Sequence, residues 1–144
     1  MPRRSVMLAA IAVAFAMPAD APAQGEPHAW LYGAWTGGIA PPDPRQGRTA
    51  CLAAPTVIVT RDIILHQTLL DPSYQQRIVE TVRAVPEGVE IRLRPVPPRP
   101  AGAPQAGFGC ADPNVLRVKR EADGSISFPG CLGFPAPLVS CLAK

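Results

Sequence analysis

Apolar and polar residues alternate along several short segments of the chain, and this period of two is typical of β-strands with one buried face. The clearest case is the segment 89–94, in which every second residue is apolar. Two runs rich in β-branched residues, 56–60 and 63–68, predict a further pair of strands joined by a tight reversal. The pattern therefore favours a chain built mainly from short antiparallel strands.

A β-hairpin is predicted near the C-terminus. The segments 116–120 and 125–128 both alternate, and Asp123-Gly124 between them supplies the residues that a tight turn with positive φ requires. Leu138 to Cys141 is predicted as a short last strand.

The segment 74–85 is compatible with two structures. Asp71 and Pro72 before it are typical of a helix start, and its apolar residues include a set at helical spacing. Against a helix, the segment is rich in β-branched residues, and Pro86-Glu87-Gly88 provides a turn into the strand at 89–94. The sequence favours a strand here.

The stretch 29–39 holds both tryptophans among glycines and small residues, and it is predicted to be a bent first strand. With the segments above it gives about seven to eight short strands with one apolar face each, which is typical of a small antiparallel β-barrel or sandwich. A proline-rich loop at 95–109 interrupts the strands, because proline has no N–H to donate to a sheet. We expect an extended surface connection there, with a recognition segment as the alternative.

The N-terminus has the features of a secretory signal peptide. Arg3 and Arg4 precede an apolar run at 6–17, and Ala21-Pro22-Ala23 fits the small-residue cleavage pattern, so that residues 1–23 would be removed before Gln24. The apolar run is shorter than the roughly 20 residues that a transmembrane helix needs. The prediction is a single domain over residues 24–144, periplasmic or secreted, with no membrane span.

Four cysteines in an exported chain predict two disulfides, because the compartment is oxidising. Sequence alone allows three connectivities. Cys131–Cys141 is the local expectation, since prolines constrain the loop between them, and Cys51–Cys110 would then be the second pair. No C-x-x-C motif occurs and neither histidine lies at ligand spacing from a cysteine, so no metal or cofactor is predicted.

The charge and the polar residues give little support to catalysis or nucleic-acid binding. The net charge of +3 is too small for a nucleic-acid footprint. No nucleophile elbow, phosphate loop or zinc motif is present. We expect His28 to lie in a loose N-terminal segment and His66 on a sheet surface. The chain is therefore expected to have no catalytic residues, with a cysteine- or metal-dependent enzyme as the remote alternative.

If the strands at 89–94 and 115–120 are neighbours, their outward side chains form a basic face. Its members are Arg92, Arg94, Arg117 and Lys119, with Glu90 among them. Such a face is usually just solvated, but it also suits an anionic surface, as in a structural envelope protein.

Gly33-Ala-Trp35 in the predicted first strand resembles the Gly-x-Trp element of lipocalins and related calycin barrels. The resemblance extends to small periplasmic inhibitors of bacterial metalloproteases. It implies a barrel in which Trp35 packs across one end, under a basic side chain such as Arg117 or Arg120. The barrel-like pattern and the lack of catalytic groups predict a non-enzymatic, monomeric binding domain for a protein partner or a small apolar ligand, with Trp30 and Trp35 as candidate binding residues.

Overall fold

Eight antiparallel strands close into a barrel in which each strand pairs with its neighbours in sequence and the last pairs with the first. The computed structural model describes residues 25–40, 51, 56–67, 73–97 and 107–141. The elements are a 3₁₀ helix η1 at Ala29–Leu31 and the strands β1 Gly33–Gly37, β2 Val57–Val59, β3 Ile63–His66, β4 Gln75–Val85, β5 Gly88–Leu93, β6 Val115–Arg120, β7 Ile126–Ser127 and β8 Leu138–Ser140.

The predicted mainly-β fold is confirmed, and of the two architectures it is the barrel that forms. The ambiguous segment is the strand β4, as its β-branched residues indicated. The hairpin of β6 and β7 turns at Gly124, where φ is +84°. The predicted signal peptide, the Asp71 cap and residues 98–106 of the proline-rich loop lie outside the described residues.

The first strand is shorter than expected, because the chain before it forms η1. Gly33 joins the two elements with a φ of +128°, a backbone conformation that a residue with a Cβ rarely adopts. Two residues later Trp35 points into the barrel, where its Nε1 donates a hydrogen bond to the carbonyl of Leu31 at 2.8 Å. The Gly-x-Trp element therefore fixes η1 against the end of the barrel, and the fold is compatible with a lipocalin-like barrel.

The inward side chains fill the barrel. Each has an exposed fraction of 4% or less; along the strands they are Val57, Val59, Ile64, Val89, Ile91, Leu93, Leu116, Val118, Ile126 and Leu138. A cavity of ligand size would expose part of the side chains lining it, whether or not it opened to the outside. In the part of the chain that the structure describes, the interior is therefore a packed core, as is usual for small barrels.

The two ends of the barrel are closed differently. The end that we call the helix end carries η1 and the turns at 60–62, 86–87 and 121–125. The end that we call the aromatic end carries the β5–β6 and β7–β8 connections, with Phe108 and Phe134. The candidate sites lie at these two ends, on the outer face of β5 and β6, and on the strand β4.

The four cysteines form two disulfides, as predicted, but the expected pairing is wrong. The bonds are Cys51–Cys141 and Cys110–Cys131, with Cα–Cα distances of 5.6 and 3.8 Å. Ring closure explains the first bond: β8 pairs with β1, the N–H of Cys141 donates to the carbonyl of Ala34, and Cys141 is thereby brought to the early part of the chain. The second bond follows from an antiparallel bridge between the residues it joins.

Candidate functional site

Three phenylalanines form a cluster inside the aromatic end. The ring centroids of Phe108, Phe128 and Phe134 lie between 5.3 and 5.5 Å apart, in tilted and edge-to-face arrangements that aromatic pairs favour. They come from the two connections that close this end, so that hydrophobic burial holds the loops to the barrel.

His66, at the end of β3, packs on this cluster. Its ring centroid lies 4.3 Å from that of Phe108 and 6.0 Å from that of Phe134. It is completely buried, so the expectation of a sheet-surface histidine is wrong. Val57 lies opposite His66 in the register and shares its inward face.

The environment of His66 keeps the imidazole neutral. Burial, with a smaller contribution from the charge of Arg77, lowers the pKa of His66 to about 4, and the backbone of Gln67 offsets this only in part. Neither ring nitrogen has a hydrogen-bond partner of ordinary geometry. A base in catalysis needs access to a substrate proton, and this side chain has none.

Arg77 of β4 is buried beside it, with an exposed fraction of 1%. Its Nη1 donates to the carbonyl of Pro113 at 3.0 Å, and its Nη2 donates to Oδ1 of Asn114 at 3.0 Å. Burial lowers the pKa of the guanidinium. Arg77 thus connects β4 to the start of β6 from inside the barrel, a structural role that the alternation pattern did not reveal.

A tight loop on the outside of the aromatic end presents Leu132. The N–H of Phe134 donates to the carbonyl of Cys131 at 3.2 Å, which makes a β-turn with Leu132 at its second position. The exposed fraction of Leu132 is 87%, the highest of the large apolar residues that the structure describes as exposed.

The backbone of this turn is held from both sides. Leu132 N–H donates to the carbonyl of Gly109 at 3.0 Å, and Gly133 N–H donates to that of Phe108 at 3.1 Å. A Cβ on Gly133 would lie 2.7 Å from the Phe108 carbonyl oxygen, so the two loops approach this closely only because Gly133 has no side chain. Together with the Cys110–Cys131 bond, these contacts hold the backbone that carries Leu132 in one conformation.

Two further large apolar side chains are exposed, and both lie toward the same end. Tyr74 immediately precedes β4 and Val96 follows β5, with exposed fractions of 38% and 41%. We call Tyr74, Val96 and Leu132 the aromatic-end surface. Single exposed apolar residues are ordinary, whereas contiguous exposed apolar patches are typical of interaction sites.

The helix end carries a polar cluster instead. The hydroxyl of Tyr32 donates to Glu26, whose other oxygen lies 2.6 Å from Nε of Arg61. The hydrogen bond from Tyr32 holds the pKa of Glu26 below its usual value, with Arg61 adding to this, and burial followed by the Glu26 contact raises the pKa of Tyr32. His28 is buried and its Nε2 is bonded to the carbonyl of Arg61 at 2.9 Å, so the expectation that it lies in a loose segment is wrong.

Both tryptophans pack at the helix end of the barrel. Trp35 is in the core, whereas Trp30 is partly buried with the guanidinium of Arg120 5.4 Å from its ring centroid. A basic side chain from β6 does cover a tryptophan here, but the pair is Arg120 with Trp30. A binding role for Trp30 or Trp35 stays a prediction.

The predicted basic face forms, since β5 and β6 are neighbours, but acids neutralise much of it. Glu90 accepts from Arg83 at 2.9 Å and from Arg117 at 3.1 Å, and these contacts hold the pKa of Glu90 below its usual value. Lys119 lies within 3.6 Å of both Glu87 and Glu121. Arg92 and Arg94 are exposed and make no ion pair with any other described residue.

All four cysteines are in disulfides, which leaves no thiolate for catalysis or metal binding. Within the described ranges, no three His, Cys, Asp or Glu side chains are grouped as a metal site would require. No helix in those ranges is long and apolar enough to cross a membrane.

Comparison with known protein families, curated proteins and solved structures finds no match to this chain. Function is therefore inferred from the two ends and the outer surface of the barrel. Sequence reasoning missed Leu132, His66 and Arg77 as features of interest. Only Leu132 had a local signal, an apolar residue between a cysteine and a glycine in a segment without alternation.

Proposed function

We propose that this chain is a non-enzymatic, exported binding domain that recognises a protein partner with its aromatic end. The observation that carries the proposal is the exposed Leu132 side chain on a backbone held by a disulfide and by two cross-loop hydrogen bonds. A side chain presented on a rigid loop binds with little loss of conformational entropy, and a few side chains buried in a partner's pocket carry most of the binding energy in many interfaces.

The packed interior supports a protein partner over a small apolar ligand. A ligand inside the barrel would have to displace core side chains such as Ile91 and Leu116, which have exposed fractions of 1% or less. Binding of a protein to the outside of the barrel requires no such rearrangement. The β-turn at Leu132 also argues against insertion as an extended, substrate-like segment, so an inhibitor of this kind would act by covering its target.

Export is part of the proposal, supported by the N-terminal pattern and by the two disulfides, which form and persist in oxidising compartments. The alternative of a structural protein that uses its basic face is less favoured. Glu87, Glu90 and Glu121 neutralise two of the four predicted basic residues.

Site-specific photo-crosslinking tests the proposal. A photoreactive residue at position 132 is expected to crosslink one envelope protein reproducibly, whereas the same residue at exposed Ala122, in the turn at 121–125 on the helix end, serves as the matched control. In a pull-down without the photoreactive residue, the wild-type protein should capture the crosslinked partner. Leu132→Asp should abolish this capture without lowering the melting temperature. Equal crosslinking from both positions, or capture that survives Leu132→Asp, would contradict this site.

A further inference from the structure

The strand β4 is longer than its neighbour on one side. Its register with β3 ends at the pair Ile63 and Ile78, after which only the N–H of Val79 reaches the Asp62 carbonyl at 2.8 Å. β4 nevertheless continues to Val85, paired with β5 as far as Gly88. Among the described residues, the last part of β4 therefore has one paired edge and one open edge.

The backbone groups at the open edge follow from the hairpin. Val85 and Gly88 close a turn of two residues, which makes them a hydrogen-bonded pair, and such pairs alternate along an antiparallel ladder. Thr81 and Arg83 accordingly direct their N–H and C=O groups at β5. Val82 and Ala84 direct theirs away from β5, toward the open edge.

Proteins usually protect such an edge with a charged side chain or a proline. The charged residue in this segment is Arg83, and its guanidinium reaches toward β5, where Nη2 lies 2.7 Å from a carboxylate oxygen of Glu90. The side chain thus leans away from the edge that it would otherwise protect. Ala84 is exposed and too small to cover the backbone.

The two faces beside this edge differ in chemistry. The inner face continues the apolar row, since Val82 lies opposite Ile91 and Ala84 opposite Val89. On the outer face Arg92 lies opposite Thr81, and Arg83 and Arg117 flank the acid Glu90; a second acid, the exposed Glu80, immediately precedes Thr81, so the three arginines still outnumber the acids. A strand added at this edge would meet apolar positions on one face and excess positive charge on the other.

We propose that the open edge of β4, residues 81–85, docks an extended segment of a partner protein in which acidic and apolar residues alternate. The added strand donates to and accepts from Val82 and Ala84, places apolar side chains beside them, and directs its acids to the outer face that carries Arg92. A second copy of this chain fits less well. If two copies paired through the backbone groups of Val82 and Ala84, their symmetry would place the two Arg83 side chains opposite or diagonal to each other. Like charges in these positions repel.

The open edge of β4 is distinct from the aromatic-end surface, so binding at this edge can be tested independently of the proposed function. Amide hydrogen exchange of the free protein gives a first test without any variant. The amides of Val82 and Ala84 should exchange quickly and those of Thr81 and Arg83 slowly, because only the latter are bonded to β5. Slow exchange at Val82 and Ala84 in the free protein would mean that the edge is already paired, and would overturn the proposal.

Synthetic peptides give the second test. The probe is an octapeptide of alternating valine and glutamate, with one of alternating valine and lysine and a block-order peptide of the same acidic composition as controls. Only the alternating acidic peptide should bind in an NMR titration and slow exchange at Val82 and Ala84 by about tenfold or more at saturation. Equal binding of the controls, or no binding of the probe, overturns the proposal.

Variants locate the contact. Ala84→Pro removes an N–H that does not face β5 and should weaken the alternating acidic peptide by about tenfold, whereas the matched Ala84→Ser should leave its affinity unchanged. Arg92→Gln should weaken it by about two- to fivefold. If both Ala84→Pro and Arg92→Gln bind the alternating acidic peptide with unchanged affinity, the proposed site is wrong. If Ala84→Pro fails to fold, the affinity of Arg92→Gln and the exchange measurement test the site without it.

Discussion

The two ends of this barrel are closed by different means. At the helix end the closing element is local: η1 directly precedes β1, and Leu31 and Trp35 pack and bond within a few residues of each other. At the aromatic end the closing elements come from two separate loops, joined by Cys110–Cys131, which spans 21 residues, and by the contact of Phe108 with Phe134.

This difference has a consequence for function. The helix end presents mainly polar side chains, such as the exposed Arg61, and the distant contacts of His28 with Arg61 and of Trp30 with Arg120 also hold it. The aromatic end joins two loops through a disulfide and two backbone hydrogen bonds, and these hold the turn that exposes Leu132. If the aromatic end binds a partner as proposed, its binding therefore depends on the same contacts that stabilise that end.

Removing a disulfide should have the largest effect on the free energy of unfolding. Removing Cys51–Cys141 tests the closure of the barrel, and removing Cys110–Cys131 tests the closure of the aromatic end. In the chain-entropy description, the bond that spans 90 residues contributes about 4–5 kcal/mol to the free energy of unfolding, and the bond that spans 21 residues about 3 kcal/mol. Cys51→Ser with Cys141→Ser should therefore be less stable in urea than Cys110→Ser with Cys131→Ser. The opposite order would show that the aromatic end depends on its disulfide more than the barrel depends on closure.

Truncation of a core side chain at the aromatic end should have the next largest effect. Phe134→Ala removes a side chain that contacts Phe108, Phe128 and His66, and it should lower the free energy of unfolding by about 3–5 kcal/mol. Leu31→Ala provides the matched change at the helix end. We expect Phe134→Ala, but not Leu31→Ala, to reduce crosslinking from position 132, because Phe134 lies beneath the turn. If both variants retain full crosslinking, the turn does not depend on the core beneath it.

Acid should destabilise the aromatic end specifically. His66 has a folded-state pKa of about 4, below its usual 6.5, so its neutral form is favoured in the folded protein. Stability is then complete above pH 6.5 and is lost as the pH falls through that value toward 4, by about 3 kcal/mol in total. His66→Phe should remove this part of the pH dependence of urea unfolding. A pH profile of the same shape in both proteins would contradict this assignment.

The smallest expected effect lies at the helix end. Arg120→Ala removes the cation over Trp30, which should lower the free energy of unfolding by about 0.5–1 kcal/mol. Arg120→Lys keeps the charge and should recover part of the loss. The intrinsic fluorescence of Trp30 reports the local change, and an unchanged spectrum and stability would show that the contact contributes nothing.

Much of the fold could be predicted because its signals are local. The alternation at 89–94 and the Asp123-Gly124 turn are properties of consecutive residues, and they place strands and a hairpin where the structure has them. The β-branched residues of β4 likewise outweighed its helical spacing. The candidate sites could not be predicted in this way, since Leu132 gains its role only from Gly109 and Phe108 across the loop.

The sequence by itself determined that this protein is mainly β, that its strands bury one face, and that four cysteines form two disulfides. Only the tertiary structure decided that the sheet closes into a barrel, that Cys141 meets Cys51, and that His66 and Arg77 are buried. The physical reason is the range of the interactions. Strand period and turn conformation depend on neighbouring residues, whereas closure pairs β1 with β8 and so depends on contacts across almost the whole described chain.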